Sequence, residues 1–145
     1  MASDLDLDKQ VCFALYSASR SLTALYRPLL ERLGLTYPQY LAMLVLWERG
    51  DTSVKRLGRA LMLDSGTLSP LLKRLESAGL VTRRRDPGDE RSVVIALTDA
   101  GRALKQRASS IPRTIAKATG VPSRDLVQLR DTLRSITAAA VPPKG

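Results

Sequence analysis

The chain contains one thiol and no imidazole, which restricts the chemistry that its side chains can perform. Cys12 is the single cysteine, so an internal disulfide and a zinc site built from several cysteines are both excluded. The lack of histidine removes the usual general base and the commonest metal ligand. A lone cysteine on an apolar helix most often fills the core, unless its surroundings stabilise the thiolate. Cys12 is therefore either a core residue or a reactive thiol, and neither a metal nor another cofactor is expected.

The charge of the chain favours a polyanionic partner. Its 145 residues include 23 Lys and Arg against 14 Asp and Glu, a net charge of +9, which suits nucleic acid or an anionic membrane. No apolar run is long enough to span a bilayer and the N-terminus is acidic, so we expect a cytoplasmic protein without a membrane partner. All aromatic residues precede residue 48, which leaves the basic region without rings on which unpaired bases stack. Double-stranded DNA is the predicted partner.

Two short helices are predicted to position this basic region. Ser53 is expected to cap a helix over 54–61, and Asp64 to cap a helix over 65–78. The second helix has a stripe of leucines that would pack on the first, namely Leu68, Leu71, Leu72 and Leu75. Such a helix-turn-helix places its second helix in the major groove of DNA.

A hairpin wing is predicted after these helices. Its strands cover 80–85 and 91–97, and the turn residues 86–89 join them. Arg91 is expected to enter the minor groove, and Asp89 to orient Arg91 or the recognition helix rather than to meet phosphate. Together the two elements predict a set of DNA-binding residues: Thr67, Ser69, Pro70, Lys73, Arg74, Arg84, Asp89 and Arg91.

Amphipathic helices are predicted on both sides of this DNA-binding region. A seam of apolar residues spaced by four and three indicates a helix over 7–33, kinked at Pro28. Thr36 and Gln39 match a capping box that opens the next helix. The members of the seam are Val11, Leu15, Ala18, Leu22, Leu25 and Leu29.

Two further helices are predicted near the C-terminus. Thr98 is expected to cap a helix that runs to about Thr119, disturbed at Pro112. Ser123 is expected to cap the last helix, which carries an apolar face of Leu126, Leu129, Leu133 and Ile136. The seams at both ends need a partner, and a two-fold dimer is the commonest solution.

These residues resemble the MarR family of winged helix-turn-helix regulators across nearly the whole chain. The recognition segment 63–76 and the wing pattern over 86–91 carry part of the resemblance. The segments 12–20, 26–30 and 35–40 are more specific, and they are similar to the OhrR branch, which represses an organic-hydroperoxide resistance gene and senses oxidants through a cysteine.

The expected architecture follows from this order of elements and from the resemblance. The fold class is mainly α with a small β-hairpin wing, a winged helix-turn-helix that forms a two-fold dimer through its N- and C-terminal helices. A single domain over 1–145 is predicted, with dimerisation helices at about 7–50 and 99–139. The DNA-binding lobe between them covers about 51–98.

The OhrR resemblance implies a role for Cys12 and for several tyrosines. The cysteine that matches Cys12 is the peroxidatic thiol of that branch, and tyrosines that match Tyr26 and Tyr37 hydrogen-bond it; Tyr16 is a further candidate. Cys12 and Tyr26 lie 14 residues apart, about 21 Å along a helix, so they cannot meet within one helix. An antiparallel crossing of two copies near Ser19 would bring them together. The adjacent apolar surface, which consists of Phe13, Leu22 and Trp47, would then suit bulky organic hydroperoxides.

The lack of a second cysteine separates this chain from some OhrR-like proteins, which have a resolving cysteine in their C-terminal helices. The resemblance therefore implies that a sulfenic acid at Cys12 reacts with an external low-molecular-weight thiol or is oxidised further. The prediction is a dimeric repressor, not an enzyme, that releases its operator when organic hydroperoxides oxidise Cys12. Two alternatives stay open: a MarR-type repressor released by a small phenolic or aromatic ligand, with Cys12 only structural, and a thiol peroxidase or other cysteine enzyme.

Overall fold

The computed structural model describes residues 3–141, which form helices and one small antiparallel sheet. This confirms the predicted fold class, a mainly α winged helix-turn-helix. The described chain divides into two compact units between Ser109 and Ser110. In chain order the elements are a 3-10 turn at Leu7–Lys9, α1 (Val11–Glu31), α2 (Tyr37–Arg49), β1 (Thr52–Ser53), α3 (Val54–Leu61), α4 (Ser65–Ser77), β2 (Val81–Asp86), β3 (Asp89–Leu97), α5 (Asp99–Ala108), α6 (Ile111–Ala118) and α7 (Ser123–Ala139).

Helix α1 is shorter than predicted at its N-terminal end. The helix expected from residue 7 begins only at Val11, because Gln10 has an extended backbone with φ −83° and ψ 113°. The Gln10 side-chain amide donates to the carbonyl oxygens of Asp4 and Asp6, at 2.7 and 3.0 Å, and so holds the preceding turn. The helix then continues through Pro28 to Glu31. Cys12 consequently lies in the first turn of α1.

Helix α2 begins with the predicted capping box. The Gln39 backbone N–H donates to Thr36 Oγ1 at 3.3 Å, and the Thr36 N–H donates to Gln39 Oε1 at 3.0 Å. The helix ends at Gly50, whose φ of 74° is a conformation that favours glycine. Its buried side chains form much of the core of the first unit: Gln39, Tyr40, Ala42, Met43, Val45 and Leu46.

The helix-turn-helix forms almost as predicted. Helix α3 has the expected bounds, and α4 ends one residue before the predicted 78. Ser53 Oγ accepts from the Arg56 N–H at 3.1 Å, so the predicted cap is present. Burying each leucine of the predicted α4 stripe stabilises the fold by roughly 2 kcal/mol, and all four are buried: Leu68, Leu71, Leu72 and Leu75.

The predicted two-stranded wing is part of a three-stranded antiparallel sheet with the order β1-β3-β2. Strand β1 pairs with β3 through Thr52 opposite Ile95. A strand of two residues has no periodicity that sequence analysis can detect. Strands β2 and β3 extend to Asp86 and Asp89, so the turn between them is tighter than predicted.

The C-terminal helices differ from the prediction in two respects. The single helix expected up to Thr119 is two helices, because α5 ends at Ala108 and Pro112 occupies the second position of α6, where no N–H is needed. The N-cap position of α7 is Pro122, which makes no side-chain capping hydrogen bond, and the expected cap Ser123 is instead the first residue of the helix. None of the helices within residues 3–141 is both long and apolar enough to cross a membrane.

Candidate functional site: a nucleic-acid interface and a redox centre

One face of α4 carries the residues predicted to contact DNA. The helical repeat places them opposite the buried leucines, so that Thr67, Pro70, Lys73 and Arg74 are exposed and Ser69 is half-buried. The start of this helix is fixed by Asp64, whose Oδ1 accepts from the Thr67 N–H at 2.7 Å. The hydrogen bond from the Thr67 amide holds the pKa of Asp64 below its ordinary value. The cap therefore keeps its charge at neutral pH.

The tip of the wing is shaped by two aspartates. Asp86 Oδ1 accepts from the Gly88 N–H at 2.9 Å, and Asp89 Oδ1 accepts from the Arg91 N–H at 3.0 Å. These bonds fix the backbone of the turn, because each carboxylate bridges two residues along the chain. The Asp89 bond is to the backbone of Arg91, so the orientation of the Arg91 side chain by Asp89 stays a prediction; Arg91 itself is exposed.

A basic groove lies between the helix-turn-helix and the wing. Its volume is about 680 Å³, and its walls include apolar side chains such as Leu63, Leu68 and Val93. Four basic residues and one acid also line it, namely Lys55, Arg59, Arg83, Arg91 and Asp89. Sequence analysis missed Lys55 and Arg59, because α3 was considered only as the packing partner of α4, and on β2 it selected Arg84 instead of Arg83.

Arg84 is engaged elsewhere in the first unit. Its Nη2 donates to Asp51 Oδ2 at 2.6 Å, and both side chains are about half exposed. Strand alternation explains the choice, since adjacent residues of β2 point to opposite faces and Arg83 lines the basic groove. A DNA contact by Arg84 stays a prediction, and Arg83 is the better placed of the two.

Cys12 is a free and exposed cysteine in the first turn of α1. The unpaired backbone N–H groups of a first turn favour a nearby negative charge. Tyr16 lies one helical turn further on and is 59% exposed, with the Arg20 guanidinium 5.4 Å from its ring centroid. The neighbouring Phe13 is 44% exposed. The start of α1 thus presents a thiol among uncovered apolar and aromatic side chains.

Three tyrosines from α1 and α2 form an aromatic cluster. The ring centroids of Tyr26 and Tyr37 are 4.8 Å apart, and that of Tyr40 lies 5.7 and 6.3 Å from them. Burial, followed by the nearby Tyr37, raises the pKa of Tyr26, and burial raises that of Tyr40 to about 12. The hydroxyls of Tyr26 and Tyr40 therefore remain protonated donors at neutral pH.

The structure brings Tyr26 and Tyr37 together but separates them from Cys12 of the same chain. Helix α1 is continuous from Val11 to Glu31, so Cys12 and Tyr26 are about 21 Å apart along it. Tyr40 was not among the predicted site residues, and with 2% of its surface exposed it forms the buried base of the cluster. Tyr40 follows Tyr37 by three residues, a spacing that places both side chains on one face of α2 and could have predicted that it joins the cluster.

Trp47 contacts the first turn of α5 in the same unit. Its indole N–H donates to the Gly101 carbonyl oxygen at 2.9 Å, and its ring lies 6.5 Å from that of Tyr40. Sequence analysis assigned Trp47 to an apolar surface beside Cys12 and did not predict this contact, because the partner is 54 residues away in the chain.

Comparisons with known proteins agree on a class of regulator. The family described as Transcriptional regulator SarA/Rot matches residues 24–108. The organic hydroperoxide resistance transcriptional regulator of Bacillus subtilis (strain 168) is 50% identical over 132 residues, which cover 91% of this chain and 90% of that protein. Among solved structures, AbfR of Staphylococcus epidermidis is 34% identical in its reduced, DNA-bound form, with a TM-score of 0.78 over 93% of this chain and 94% of AbfR. The overoxidized form of AbfR bound to DNA is similar, with 34% identity and a TM-score of 0.75 over 92% of this chain and 94% of AbfR.

Proposed function

The chain belongs to the MarR family of transcriptional regulators, and from that premise we propose that it is a dimeric, cytoplasmic repressor that leaves its operator DNA when an organic hydroperoxide oxidises Cys12. The observation that carries the proposal is the exposed thiol of Cys12 in the first turn of α1, in a chain that also forms a winged helix-turn-helix. The names of the Bacillus and Staphylococcus relatives support it, since they describe hydroperoxide resistance and redox forms bound to DNA.

Duplex recognition is assigned to α4 and the wing. Thr67, Ser69 and Pro70 meet base edges or thymine methyls in the major groove, and Lys73 and Arg74 add phosphate or base contacts. Arg91 enters the adjacent minor groove, where an A·T-rich sequence concentrates negative potential. The net charge of +9 supports this assignment and makes the affinity fall with salt.

The redox centre is assigned to the interface of a dimer. The exposed apolar residues of α1 and α7 would be covered by a second copy, which would bring Tyr26 and Tyr37 of one protomer to Cys12 of the other. The raised pKa of Tyr26 keeps its hydroxyl a protonated donor, and Tyr16 is one turn from the thiol on the same helix. Two or three such hydrogen bonds would stabilise the thiolate.

The oxidation is a two-electron transfer. The Cys12 thiolate attacks the terminal oxygen of the hydroperoxide, the O–O bond breaks, and the products are the sulfenic acid and the alcohol after uptake of one proton. A low-molecular-weight thiol then displaces water from the sulfenic acid and leaves a mixed disulfide. The added group disrupts the tyrosine hydrogen bonds and moves the two recognition helices away from the spacing of their half-sites.

Gel shifts on the DNA upstream of the gene test the redox part of this proposal. Cumene hydroperoxide with a small thiol should release the wild type, whereas Cys12→Ser should bind DNA equally well and stay bound. Tyr26→Phe and Tyr37→Phe should slow the release without preventing DNA binding. Release of Cys12→Ser at the wild-type dose would contradict the sensing role and favour a repressor controlled by a small ligand.

The DNA interface is tested separately with Arg91→Ala. Loss of a minor-groove arginine should weaken operator binding about tenfold or more at constant salt. Arg130→Ala is the matched control, since Arg130 is also exposed but lies on α7, where it pairs with Asp131. Equal affinities of the two variants would show that the wing is only a structural hairpin.

A further inference from the structure

A continuous row of aromatic side chains runs through the first unit. It begins with Tyr26 and Tyr37, whose ring centroids are 4.8 Å apart, and continues to Tyr40 at 5.7 Å from Tyr26. The edge of the next ring, that of Trp47, meets Tyr40 with a centroid distance of 6.5 Å and an interplanar angle of 68°. Tyr37, Tyr40 and Trp47 all belong to α2, so a movement of this helix displaces the tyrosines and the indole together.

The row ends where the first turn of α5 packs against Gly79 and Leu80, the segment that follows the recognition helix. The Trp47 indole donates to the carbonyl of Gly101 in the first turn of α5. That turn is fastened by Thr98, whose Oγ1 donates to the Gly79 carbonyl at 2.6 Å and accepts from the Gly101 N–H at 3.0 Å. Gly79 and Leu80 connect α4 to the wing, and the Thr98 N–H donates to the Leu80 carbonyl at 3.0 Å.

The packing at this joint leaves no room for adjustment. A Cβ on Gly101 would lie 2.1 Å from the Leu80 carbonyl oxygen, so α5 and the segment after α4 are in direct backbone contact. A shift of the Gly101 carbonyl is therefore passed to Leu80 and to the end of α4 instead of being absorbed by a gap.

We propose that Trp47 is the positioning residue that couples the tyrosine cluster to the recognition helix, through the hydrogen bond from its indole N–H to the Gly101 carbonyl. The inference rests on the proposed function, because the cluster has a state to transmit only if Cys12 is the sensor. When oxidation breaks the tyrosine contacts to Cys12, α2 moves and Trp47 carries the first turn of α5 with it. The recognition helix then changes its orientation in each protomer.

The wild-type protein provides a direct measurement, since Trp47 is its only tryptophan. Oxidation of the full-length protein by cumene hydroperoxide with cysteine should shift the emission maximum of Trp47. Cys12→Ser under the same treatment should show no shift, which controls for direct oxidation of the indole. An unchanged wild-type emission spectrum, in protein whose modified mass is verified, overturns the inference.

Trp47→Phe tests the coupling by keeping a ring and removing the N–H donor. Wild type and variant are oxidised to completion, as judged by intact mass, and the operator affinity of each is measured before and after. The loss of affinity on oxidation should be at least about tenfold smaller in Trp47→Phe than in the wild type, within the usual range of coupling between sites. Glu48→Gln, an exposed neighbour on α2, should behave as the wild type does.

The outcomes separate the inference from the function on which it rests. A Trp47→Phe variant that loses as much affinity on oxidation as the wild type overturns the coupling role and leaves the sensor intact. A wild type that keeps its operator after Cys12 is fully modified overturns the proposed function, and the coupling role with it. If Trp47→Phe does not fold, the wild-type emission measurement decides.

Discussion

Helices α4 and α7 have the same apolar pattern but different surroundings. Both carry leucines or isoleucine at steps of three and four residues. The four leucines of α4 are at most 7% exposed, whereas Leu129 and Ile136 of α7 are 49% and 43% exposed. An apolar stripe that is left in water gives no hydrophobic stabilisation. The same pattern therefore indicates a core in one helix and a binding surface in the other.

Helix α1 belongs with α7 in this comparison. Leu30 is its only buried residue, while Val11, Phe13 and Leu25 are between 43% and 66% exposed. Apart from Met62, the large apolar residues of the winged lobe are at least partly buried, so its core is complete within one chain. The helices at the two ends of the chain expose theirs, which is why we assign both the dimer and the redox centre to them.

The largest predicted effect is on the part of the chain that buries its apolar residues, where α5 packs against the segment after α4. Gly101→Ala should lower the free energy of unfolding by about 3 kcal/mol, because overpacking against backbone cannot be relieved by a side-chain rotation. The added Cβ would lie 2.1 Å from the Leu80 carbonyl oxygen. Urea denaturation at a fixed protein concentration measures the change. Gly88→Ala is the control, because the nearest atom to its Cβ is Asp86 Oδ1 at 3.5 Å; similar midpoints for the two variants would contradict the tight packing.

The exposed apolar face of α7 is tested by introducing a charged residue. Leu129→Asp should raise the dissociation constant of the proposed dimer about a hundredfold, since an unpaired carboxylate at an apolar interface is strongly unfavourable. Gln128→Asp introduces the same charge on the adjacent, polar position and should leave the dimer unchanged. Analytical ultracentrifugation distinguishes them. A monomeric wild type, or two variants of equal affinity, would remove α7 from the interface.

The same contrast explains what the sequence could and could not predict. Local signals determined α2, α3 and the start of α4, because Thr36, Ser53 and Asp64 cap these helices through atoms three residues away. The break between α5 and α6 was missed although Pro112 was noted, since a proline fits within the first turn of a new helix.

Contacts that are distant in sequence account for the other differences. Strand β1 exists only through its pairing with β3, and Trp47 meets Gly101 across 54 residues. The same holds within the candidate site, where Arg84 pairs with Asp51 from a different segment. The tyrosine cluster was partly predictable, since Tyr37 and Tyr40 share one face of α2, but the contact with Tyr26 depends on how α1 packs on α2.

Buried Tyr40 should make the free energy of unfolding depend on pH in alkaline solution. Burial keeps its pKa at about 12, compared with an ordinary value of 10.0, so the folded protein retains a proton that the unfolded chain loses as the pH rises above 10. Stability from this group is complete below pH 10 and falls by about 2 kcal/mol towards pH 12. Urea unfolding between pH 9 and 11.5 should show a steeper decline for the wild type than for Tyr40→Phe. Parallel curves would mean that the Tyr40 hydroxyl ionises freely and is not buried.

The smallest predicted effect concerns the start of α2, the helix that follows α1 and buries much of its surface in the core. Thr36→Ala removes one half of the capping box and should cost about 1 kcal/mol of stability, or roughly 3 °C in Tm, because the Gln39 amide loses its partner. Thr36→Ser keeps the hydroxyl oxygen and should stay within a few tenths of a kcal/mol of the wild type. The cost should be no larger, because α2 is held mainly by its buried residues, among them Met43 and Leu46. A loss of 3 kcal/mol or more in thermal unfolding would mean that the cap, and not burial, determines where α2 begins and where Tyr37 is placed.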